Sequence, residues 1–228
     1  MKKHIGIITY DKPHLKTQEV FFNLVNKYRI TFFTIPFKKF NKKKILYKHR
    51  PYQFIGHSPK TLSRKFKIKI HKIENLKKFK NIDYFLICGA GIIPNEYIIK
   101  NKMINCHSGI IPNSRGLDSL KWSVFNSKIV GITLHFIDKN IDLGKIIYQT
   151  ITPISSRENF KEFAKKHYDY EIFLLSNFEF FLNSTKIMKM KTEKSTLRIP
   201  MSKEKKLNFR FQKYKVKFLQ ILKKIKYK

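Results

Sequence analysis

The residues of this sequence that could do chemistry lie close together, between Met103 and Gly144. Asn105 and His107 are two positions apart in a short apolar stretch, and Asp142 begins an Asp-Leu-Gly turn. Residues two apart on a strand share a face, so Asn105 and His107 could aim two donors at one point. Two such donors suit the negative charge that develops on a carbonyl oxygen. A carboxylate beside the histidine could fix its tautomer and accept a proton.

Each of these residues also has a structural interpretation. Asn105 and His107 could satisfy loop backbone at the end of a strand, and residues 142–144 could form an ordinary turn. Residues 115–116, an Arg-Gly pair, could be only a loop. His135 lies in a stretch of alternating character and is more typical of a structural histidine. The residue types alone leave these alternatives open.

The pattern of the surrounding elements predicts an α/β fold, Rossmann-like, with a mostly parallel sheet flanked by helices. A strand at 4–10, a helix at 15–27 and a strand at 30–36 form a β-α-β unit. Further strands are expected at 68–73, 82–88, 103–107, 129–137 and 145–151. Further helices are expected at 58–66, after Pro94, at 117–126 and at 157–183, the last with aromatic residues for core or interface packing.

The strand predicted at 82–88 ends in Gly89, Ala90 and Gly91. A dinucleotide-binding fingerprint would need a third glycine where Pro94 stands, and the sequence contains no Walker motif. The glycines are therefore expected to let backbone approach something closely at the end of a strand.

The chain of 228 residues carries a formal net charge of +34, which would attract phosphates, nucleic acid or acidic lipid headgroups. Lys, Ile, Asn, Phe and Tyr dominate, as in the product of an AT-rich genome, so compositional drift is the favoured explanation for much of this charge. The basic stretch 37–50 is interpreted as a solvated loop. We expect residues 1–200 to form the main domain and 201–228 a basic C-terminal tail or short helix.

Residues 201–228 contain ten lysines and one arginine against one glutamate, interleaved with apolar residues. A basic amphipathic helix of this kind could contact a membrane, nucleic acid or another subunit, and a frayed solvated tail is the alternative. Contact with nucleic acid or membrane is not the favoured interpretation, and a homodimer is left open.

Cys88 and Cys106 are the only cysteines, and neither belongs to a metal-binding pattern. Cys106 is expected to point into the core, away from His107, because neighbours on a strand face oppositely. The N-terminal apolar run is broken early by charge and proline, and no stretch is long enough for a membrane span. These features favour a reduced, cytoplasmic setting without a metal site.

Several motifs in order resemble the folate-dependent formyltransferase family. They are Asn105-Cys106-His107 with Ile110-Ile111-Pro112, Arg115-Gly116, Trp122, Gly131-Ile132-Thr133-Leu134-His135 and Asp142-Leu143-Gly144. The family includes the phosphoribosylglycinamide, methionyl-tRNA and sugar N-formyltransferases, and the resemblance covers about residues 82–150. Ser108 stands where the family usually has proline.

The resemblance implies that an amine takes the formyl group of 10-formyltetrahydrofolate. Asn105 and protonated His107 would hold the oxyanion, and Asp142 would support His107 and take the proton of the amine. The pterin would lie against two backbone segments, Ile87, Cys88, Gly89, Ala90, Gly91 and Ile92, and Asp138, Lys139, Asn140 and Ile141. Residues expected in loops near the substrate are Ser108, Gly109, Arg115, Gly116 and His135.

Departures from each branch of the family narrow the expected amine. The segment after the first strand lacks the glycines with which glycinamide ribotide enzymes cradle phosphate. The residues after Pro200 are too few for the C-terminal domain of the tRNA enzymes. The best expectation is an anionic, nucleotide-linked amino sugar, with its diphosphate met by basic residues around 38–50 or near Arg115. A glycinamide ribotide enzyme, or a nucleic-acid-binding protein with an incidental site, is the alternative.

Overall fold

A computed structural model describes residues 2–37, 44–183 and 191–226, with side chains as far as residue 221. The described residues form a seven-stranded sheet of order β3-β2-β1-β4-β5-β6-β7. The first five strands in this order are parallel, and β6 and β7 run antiparallel to their neighbours. The predicted α/β class, with a mostly parallel sheet flanked by helices, is confirmed.

Every predicted strand is present. The strands at 4–10 and 103–107 have the predicted ends, and the other five are shorter or shifted. The strands are β1 His4–Tyr10, β2 Arg29–Ile35, β3 Lys69–Lys72, β4 Tyr84–Ile87, β5 Met103–His107, β6 Gly131–Phe136 and β7 Ile146–Ile151. The sheet order reverses between β1 and β4, since β2 and β3 extend to one side and β4 and β5 to the other. Ligands of open α/β sheets bind outside the carboxyl ends of strands at such a point.

The helices differ more from the expectations. They are α1 Leu15–Leu24, α2 Pro59–Phe66, α3 Ser119–Phe125, α4 Phe160–Ser176, α5 Phe178–Phe181, α6 Met201–Glu204 and α7 Leu207–Lys226. The helix predicted after Pro94 is only a 3₁₀ turn, Asn95–Tyr97, and a second 3₁₀ helix, Ile73–Lys78, was not predicted. The single helix predicted at 157–183 is two helices that meet at Asn177.

Apolar residues cover both faces of the sheet. Ile7, Leu86 and Cys106 belong to a core with α1 and α4, and Ile8 and Phe85 belong to a core on the opposite face. Burial of these alternating positions is what fixes the register of the strands, because a shift by one residue would exchange the two faces. Of the aromatic residues at 157–183, Phe173 and Phe180 are exceptions, with 56% and 82% of their surfaces exposed.

The C-terminal segment packs against the rest of the protein. Leu207, Phe211 and Tyr214 of α7 are buried in a third apolar cluster with residues of α3 and the start of α4. Glu204 of α6 is 3% exposed and forms an ion pair with Lys121 of α3. A frayed solvated tail is therefore wrong for residues 201–221, while the domain boundary at residue 200 stays a prediction.

A buried cluster of charge joins α1, α4 and the segment after residue 44. Glu171 of α4 is fully buried and bonds the Lys16 ammonium at 2.7 Å and the Arg50 guanidinium at 2.8 Å. Burial alone would raise the pKa of Glu171, but the Arg50 and Lys16 charges hold it well below its usual range. Interpretation of 37–50 as a solvated loop is therefore wrong at Arg50, and residues 38–43 lie outside the described residues.

We expect the substitution Glu171→Gln to lower the free energy of unfolding by about 3–5 kcal/mol, because it leaves two buried cations without an anion. Urea denaturation measures this change. Glu96→Gln is the matched control, since Glu96 is exposed and should change the value by less than about 0.5 kcal/mol. Equal effects of the two substitutions would show that the buried cluster does not stabilise the fold.

Candidate active site

The strand β5, in the interior of the sheet, carries Asn105 and His107 at its carboxyl end. Asn105 pairs with Ile87 of β4 on one side and with His135 of β6 on the other. Cys106 between them is 1% exposed and faces the core, and burial raises the pKa of its thiol. The alternation of a strand therefore places the two polar side chains on the opposite face from Cys106, as the sequence predicts.

The imidazole of His107 is bound at both nitrogens. Nε2 lies 3.0 Å from the carbonyl oxygen of Ser114 and 3.1 Å from Oγ of Ser119, while Nδ1 lies 3.4 Å from Oδ2 of Asp142. A carbonyl oxygen can only accept, and the Ser119 hydroxyl donates to the carbonyl of Gly116, so Nε2 carries the proton. Nδ1 is then the nitrogen that faces the carboxylate and can take up or give a proton.

Asp142 connects His107 to the neighbouring loop. Its Oδ2 also accepts a hydrogen bond from the backbone N–H of Gly116 at 2.9 Å, and its backbone has a φ of +50°. The turn is tight, since a Cβ at Gly144 would lie 1.8 Å from the carbonyl oxygen of Phe136. Glycine is therefore required at 144, and the Asp-Leu-Gly turn holds the carboxylate against the end of β5.

His135 lies beneath the site and not in a loop, contrary to its assignment as a substrate-loop residue. It is on β6 and 1% exposed, and burial lowers its pKa to about 4. Its Nδ1 donates to the Phe136 carbonyl at 3.0 Å, so Nε2 is free to accept from Asn105 Nδ2 at 3.4 Å. This neutral histidine orients the amide of Asn105 and leaves the second N–H of that amide for the crevice.

The loop after β5 is held from below by two polar side chains. Thr133 donates to the carbonyl of Gly109 at 2.7 Å, and Gln149 donates to the carbonyl of Ile111 at 2.7 Å. Ser108 is 6% exposed, and a Cβ at Gly109 would lie 2.5 Å from the carbonyl oxygen of Ser114. Ser108 and Gly109, predicted as substrate-loop residues, are buried and shape this loop.

Arg115 holds protein backbone, which the sequence did not predict. Its Nε donates to the carbonyl of Ile141 at 3.0 Å and a terminal nitrogen donates to the carbonyl of Glu193 at 3.2 Å. Arg115 thus ties the Asp-Leu-Gly turn to the residues before α6. The expectation that basic residues near Arg115 meet a diphosphate stays a prediction, while Arg115 itself is held by two backbone carbonyls.

Residues 193–199, which we call the strap, run along the loop that precedes α3. Thr196 N–H donates to the Arg115 carbonyl at 2.9 Å, and Leu117 N–H donates to the Thr196 carbonyl at 2.8 Å. The Thr196 hydroxyl lies 2.8 Å from both the Arg115 and Leu117 carbonyls. Gly116 between them has a φ of +85° and no room for a Cβ against Thr196. The strap therefore holds in place the Gly116 N–H, which donates a hydrogen bond to Asp142.

The two segments predicted to hold the pterin lie on either side of β5. Ile87 to Gly89 are buried, and Gly89 is packed against Tyr10 and His14, where a Cβ would come within 3.0 Å of the Tyr10 ring. A Cβ at Gly91 would meet nothing within 4 Å, and Ile92 is 82% exposed. The backbone at 90–92 is thus open to a flat ring, whereas a side chain at Gly89 would crowd Tyr10 and His14 inside the protein.

The second predicted pterin segment is the loop between β6 and β7. Asp138 accepts a hydrogen bond from the Asn140 backbone at 2.8 Å, and Lys139, Asn140 and Ile141 are exposed. Ile141 contributes its carbonyl to Arg115, so the loop is anchored at the end next to Asp142. Among the described residues, no group of three or more His, Cys, Asp or Glu side chains is placed to hold a metal ion.

The sequence did not single out three residues that complete the site. Ser114 and Ser119 contact His107, and Thr196 holds the loop between them. Ser119 begins α3 directly after Asp118, but a serine at a helix start is too common to indicate such a role. Thr196 lies far along the chain, so no local pattern connects it to β5.

The model of the formyl transferase family matches residues 26–177 of the chain. The chain therefore belongs to the formyl transferase family. Methionyl-tRNA formyltransferase from Thermodesulfovibrio yellowstonii is 31% identical over 97 residues, 40% of this chain and 32% of that protein. Formyltetrahydrofolate deformylase 2, mitochondrial, from Arabidopsis thaliana is 35% identical over 71 residues, which are 30% of this chain and 21% of that protein. The matched region thus spans a third or less of these relatives.

Solved structures have the same fold. An N-formyltransferase from Helicobacter canadensis, in complex with folinic acid and dTDP-3-aminofucose, aligns with a TM-score of 0.65 at 20% identity, over 93% of this chain and 81% of that chain. Phosphoribosylglycinamide formyltransferase from Anaplasma phagocytophilum aligns with a TM-score of 0.58 at 14% identity, over 78% and 84%. These likenesses establish the Rossmann-like formyltransferase architecture of the sheet and helices.

Stability should fall as the pH is lowered through the range in which the unfolded histidines titrate. Burial lowers the pKa of His14 to about 3, and of His135 and His167 to about 4, from an ordinary value of 6.5. Unfolding therefore takes up protons between about pH 4 and 6.5, and the stability that is present above this window is lost within it.

Urea denaturation at a series of pH values measures the slope of this loss. His135→Gln should make the slope shallower by up to about 1.4 kcal/mol per pH unit, the value for one proton. His57→Gln, at an exposed histidine, should leave it unchanged. An unchanged slope in His135→Gln would mean that His135 is protonated in the folded protein.

Proposed function

We propose that the chain transfers a formyl group from 10-formyltetrahydrofolate to a primary amine, and that the amine belongs to a nucleotide-linked amino sugar. The observation that carries the proposal is the placement of Asn105, His107 and Asp142 around one point at the carboxyl end of β5. Membership of the formyl transferase family supports the reaction class. The open backbone at 90–92 and the exposed loop at 139–141 lie on either side of β5, where a flat pterin could bind between them.

The donor supplies an activated formyl group whose oxygen becomes negatively charged when the amine attacks its carbon. The free N–H of Asn105 Nδ2 would donate to this oxygen, and the amide cannot rotate freely because His135 accepts its other N–H. Protonated His107 would donate from Nδ1, while its Nε2 stays bonded to Ser114. Preorganised donors of this kind stabilise charge without reorganising at the moment of reaction.

Asp142 would receive the proton that the attacking amine loses. Its Oδ2 is held by the Gly116 N–H and faces His107 Nδ1, and its side chain is 15% exposed, so it remains within reach of the crevice. The formyl carbon–nitrogen bond of the donor breaks as the new amide bond forms. The proton collected by Asp142 then passes to the departing nitrogen of the donor, and the carboxylate is restored.

Two features support a nucleotide-linked amino sugar as the acceptor. The Helicobacter canadensis enzyme, whose structure holds dTDP-3-aminofucose, aligns over 93% of this chain, whereas the Anaplasma phagocytophilum enzyme aligns over 78%. The segment after β1, residues 11–14, is Asp-Lys-Pro-His and offers no glycine-rich phosphate loop. Both features favour a sugar nucleotide over glycinamide ribotide.

Hydrolysis of the formyl donor is a second candidate, favoured by the likeness to a formyltetrahydrofolate deformylase. Asn105 and His107 could stabilise the oxyanion in the same way, and Asp142 could take the proton from water in place of an amine. The two reactions differ in their products, since hydrolysis releases formate without any amine and formyl transfer yields an N-formyl product.

The test combines a panel of acceptors with substitutions at the three residues. We expect Asn105→Ala, His107→Asn and Asp142→Asn each to lower kcat for formyl transfer by about a hundredfold or more. The panel contains dTDP-linked 3-amino and 4-amino sugars, glycinamide ribotide, charged initiator tRNA and a reaction without amine. Chromatography with mass detection of the N-formyl product, together with a formate assay, measures the outcome.

Asn208→Ala and His57→Ala are matched controls, because both residues are exposed and remote from β5 in the sequence. They should retain full activity. Formate release without amine, together with no N-formyl product for any acceptor, would show that the protein hydrolyses the donor and would rule out formyl transfer. Activity of the Asn105 and His107 variants equal to that of the controls would contradict the proposed site.

A further inference from the structure

Three aromatic side chains line the carboxyl end of the sheet on the side of β4 away from β5. Tyr10 ends β1, Phe37 follows β2, and Phe54 lies in a turn before α2. The ring centroid of Phe37 lies 5.0 Å from that of Tyr10 and 5.0 Å from that of Phe54. We call these three side chains the aromatic wall. The ring of Tyr10 also packs against Gly89, which follows β4, so the wall adjoins the crevice.

The turn that carries Phe54 is attached to the start of α1. The carbonyl of Gln53 accepts from the Leu15 N–H at 2.9 Å, and the side-chain nitrogen of Gln53 lies 3.1 Å from Nε2 of His14. The ring centroids of Phe54 and His14 are 5.9 Å apart. These contacts hold the turn, while 51% of the surface of Phe54 is exposed. An exposed ring on an anchored turn is preorganised for a ligand, because little conformational freedom is lost on binding.

The N-terminus of α1 offers little to a phosphate. The Leu15 N–H already donates to Gln53, and the Lys16 N–H donates to the hydroxyl of Tyr168 at 3.2 Å. The first N–H groups of a helix are the ones that bind anions. Because the protein itself uses the first two of α1, a ligand at the end of β1 depends on the aromatic rings.

A carboxylate beside the wall favours a neutral part of the ligand. Oδ1 of Asp11 accepts from the Phe37 N–H at 3.0 Å, and Asp11 is exposed. A phosphate placed against Phe37 would be repelled by this carboxylate, whereas a ring N–H of a nucleobase could donate to it. Aromatic rings together with an acceptor therefore fit a planar, neutral heterocycle.

The wall lies at a distance from the reacting residues that suits a nucleotide-linked sugar. β4 separates β1 from β5 in the sheet. Neighbouring strands are about 4.8 Å apart, so the end of β1 is about 10 Å from that of β5. In a nucleotide-linked amino sugar, the diphosphate and the pentose separate the base from the amino sugar. An acceptor with its amine at Asn105 could therefore extend its base along the strand ends toward the wall.

We propose that the aromatic wall binds the nucleobase of the amine acceptor, with the base stacked on the ring of Phe54. The proposal rests on the proposed function, since it identifies the end of the crevice that takes the nucleotide. Stacking on an aromatic side chain tolerates different bases, because every base has a π-face. The wall therefore recognises the presence of a base, and nucleotides with different bases are expected to bind.

Substitutions of Phe54 with and without a ring test the stacking. Phe54→Leu keeps an apolar side chain but removes the aromatic face, and Phe54→Trp retains one. Phe180→Leu is the matched control, because Phe180 is 82% exposed and lies on α5, which contacts Tyr84 at the opposite end of β4. The probes are dTDP, UDP and inorganic pyrophosphate, with 5-formyltetrahydrofolate as a second planar ligand. Calorimetric titration at constant ionic strength measures binding.

We expect Phe54→Leu to weaken the binding of dTDP and UDP by about fivefold or more, the loss of one base stack. Phe54→Trp and Phe180→Leu should stay within about twofold of the native protein. Binding of pyrophosphate and of 5-formyltetrahydrofolate should be the same in all four proteins. With an active sugar nucleotide, Phe54→Leu should raise KM and leave kcat within about twofold, because the base is an unreacting part of the substrate.

Equal affinity of Phe54→Leu and the native protein for dTDP and UDP would overturn the inference, as would the absence of nucleotide binding by the native protein. Weaker binding of 5-formyltetrahydrofolate with unchanged binding of dTDP would assign the wall to the formyl donor and would also overturn it. If Phe54→Leu loses nucleotide affinity but the native protein formylates no amine, the base site stands and the proposed function fails. If the native protein formylates a sugar nucleotide and Phe54→Leu has the same KM, the function stands and the inference fails.

Discussion

The site depends on a buried imidazole whose Nε2 is bonded to the protein and whose Nδ1 faces Asp142. His107 is 6% exposed, and its Nε2–H is bound by the Ser114 carbonyl, so the ring cannot rotate to present Nε2 to the crevice. This leaves Nδ1 toward Asp142 as the only position for an added proton. The loop after β5, the Asp-Leu-Gly turn and the N-terminus of α3 each supply one of these contacts. The placement of these three segments therefore determines which nitrogen of His107 faces Asp142 and the crevice.

Two carboxylates that take no part in the proposed reaction, Glu171 and Asp118, hold these segments in place. Glu171 joins α1 and α4 to Arg50 beneath β5, where Lys16 also lies 3.5 Å from the Cys106 carbonyl. Asp118 joins His49 and the strap to the start of α3. The charges of Arg50 and Lys16 lower the pKa of Glu171, and the bond to His49 with the charge of Lys121 lowers that of Asp118. The strongly basic chain thus uses several of its few acidic residues to assemble the walls of the crevice.

The sequence predicted the parts of the site that follow from local periodicity. Asn105 and His107 share a face because a strand alternates, and Asp142 lies in a turn that its glycine makes recognisable. It did not predict that Arg115 holds backbone or that His135 is buried beneath Asn105, since both depend on which strand lies beside β5. The strap was missed for the same reason, because Thr196 and Gly116 are distant in the chain and their contacts are made by backbone.

The central claim is that the formyl group reacts at the end of β5, between Asn105 and His107. A crystal structure with 5-formyltetrahydrofolate, the formyl isomer of the proposed donor, tests it most directly. The account predicts the pterin between residues 87–92 and 138–141, with the formyl group directed to β5 and its oxygen within hydrogen-bond reach, about 3 Å, of Asn105 Nδ2. A pterin bound elsewhere, or a formyl group turned away from β5 with Asn105 facing solvent, would contradict it.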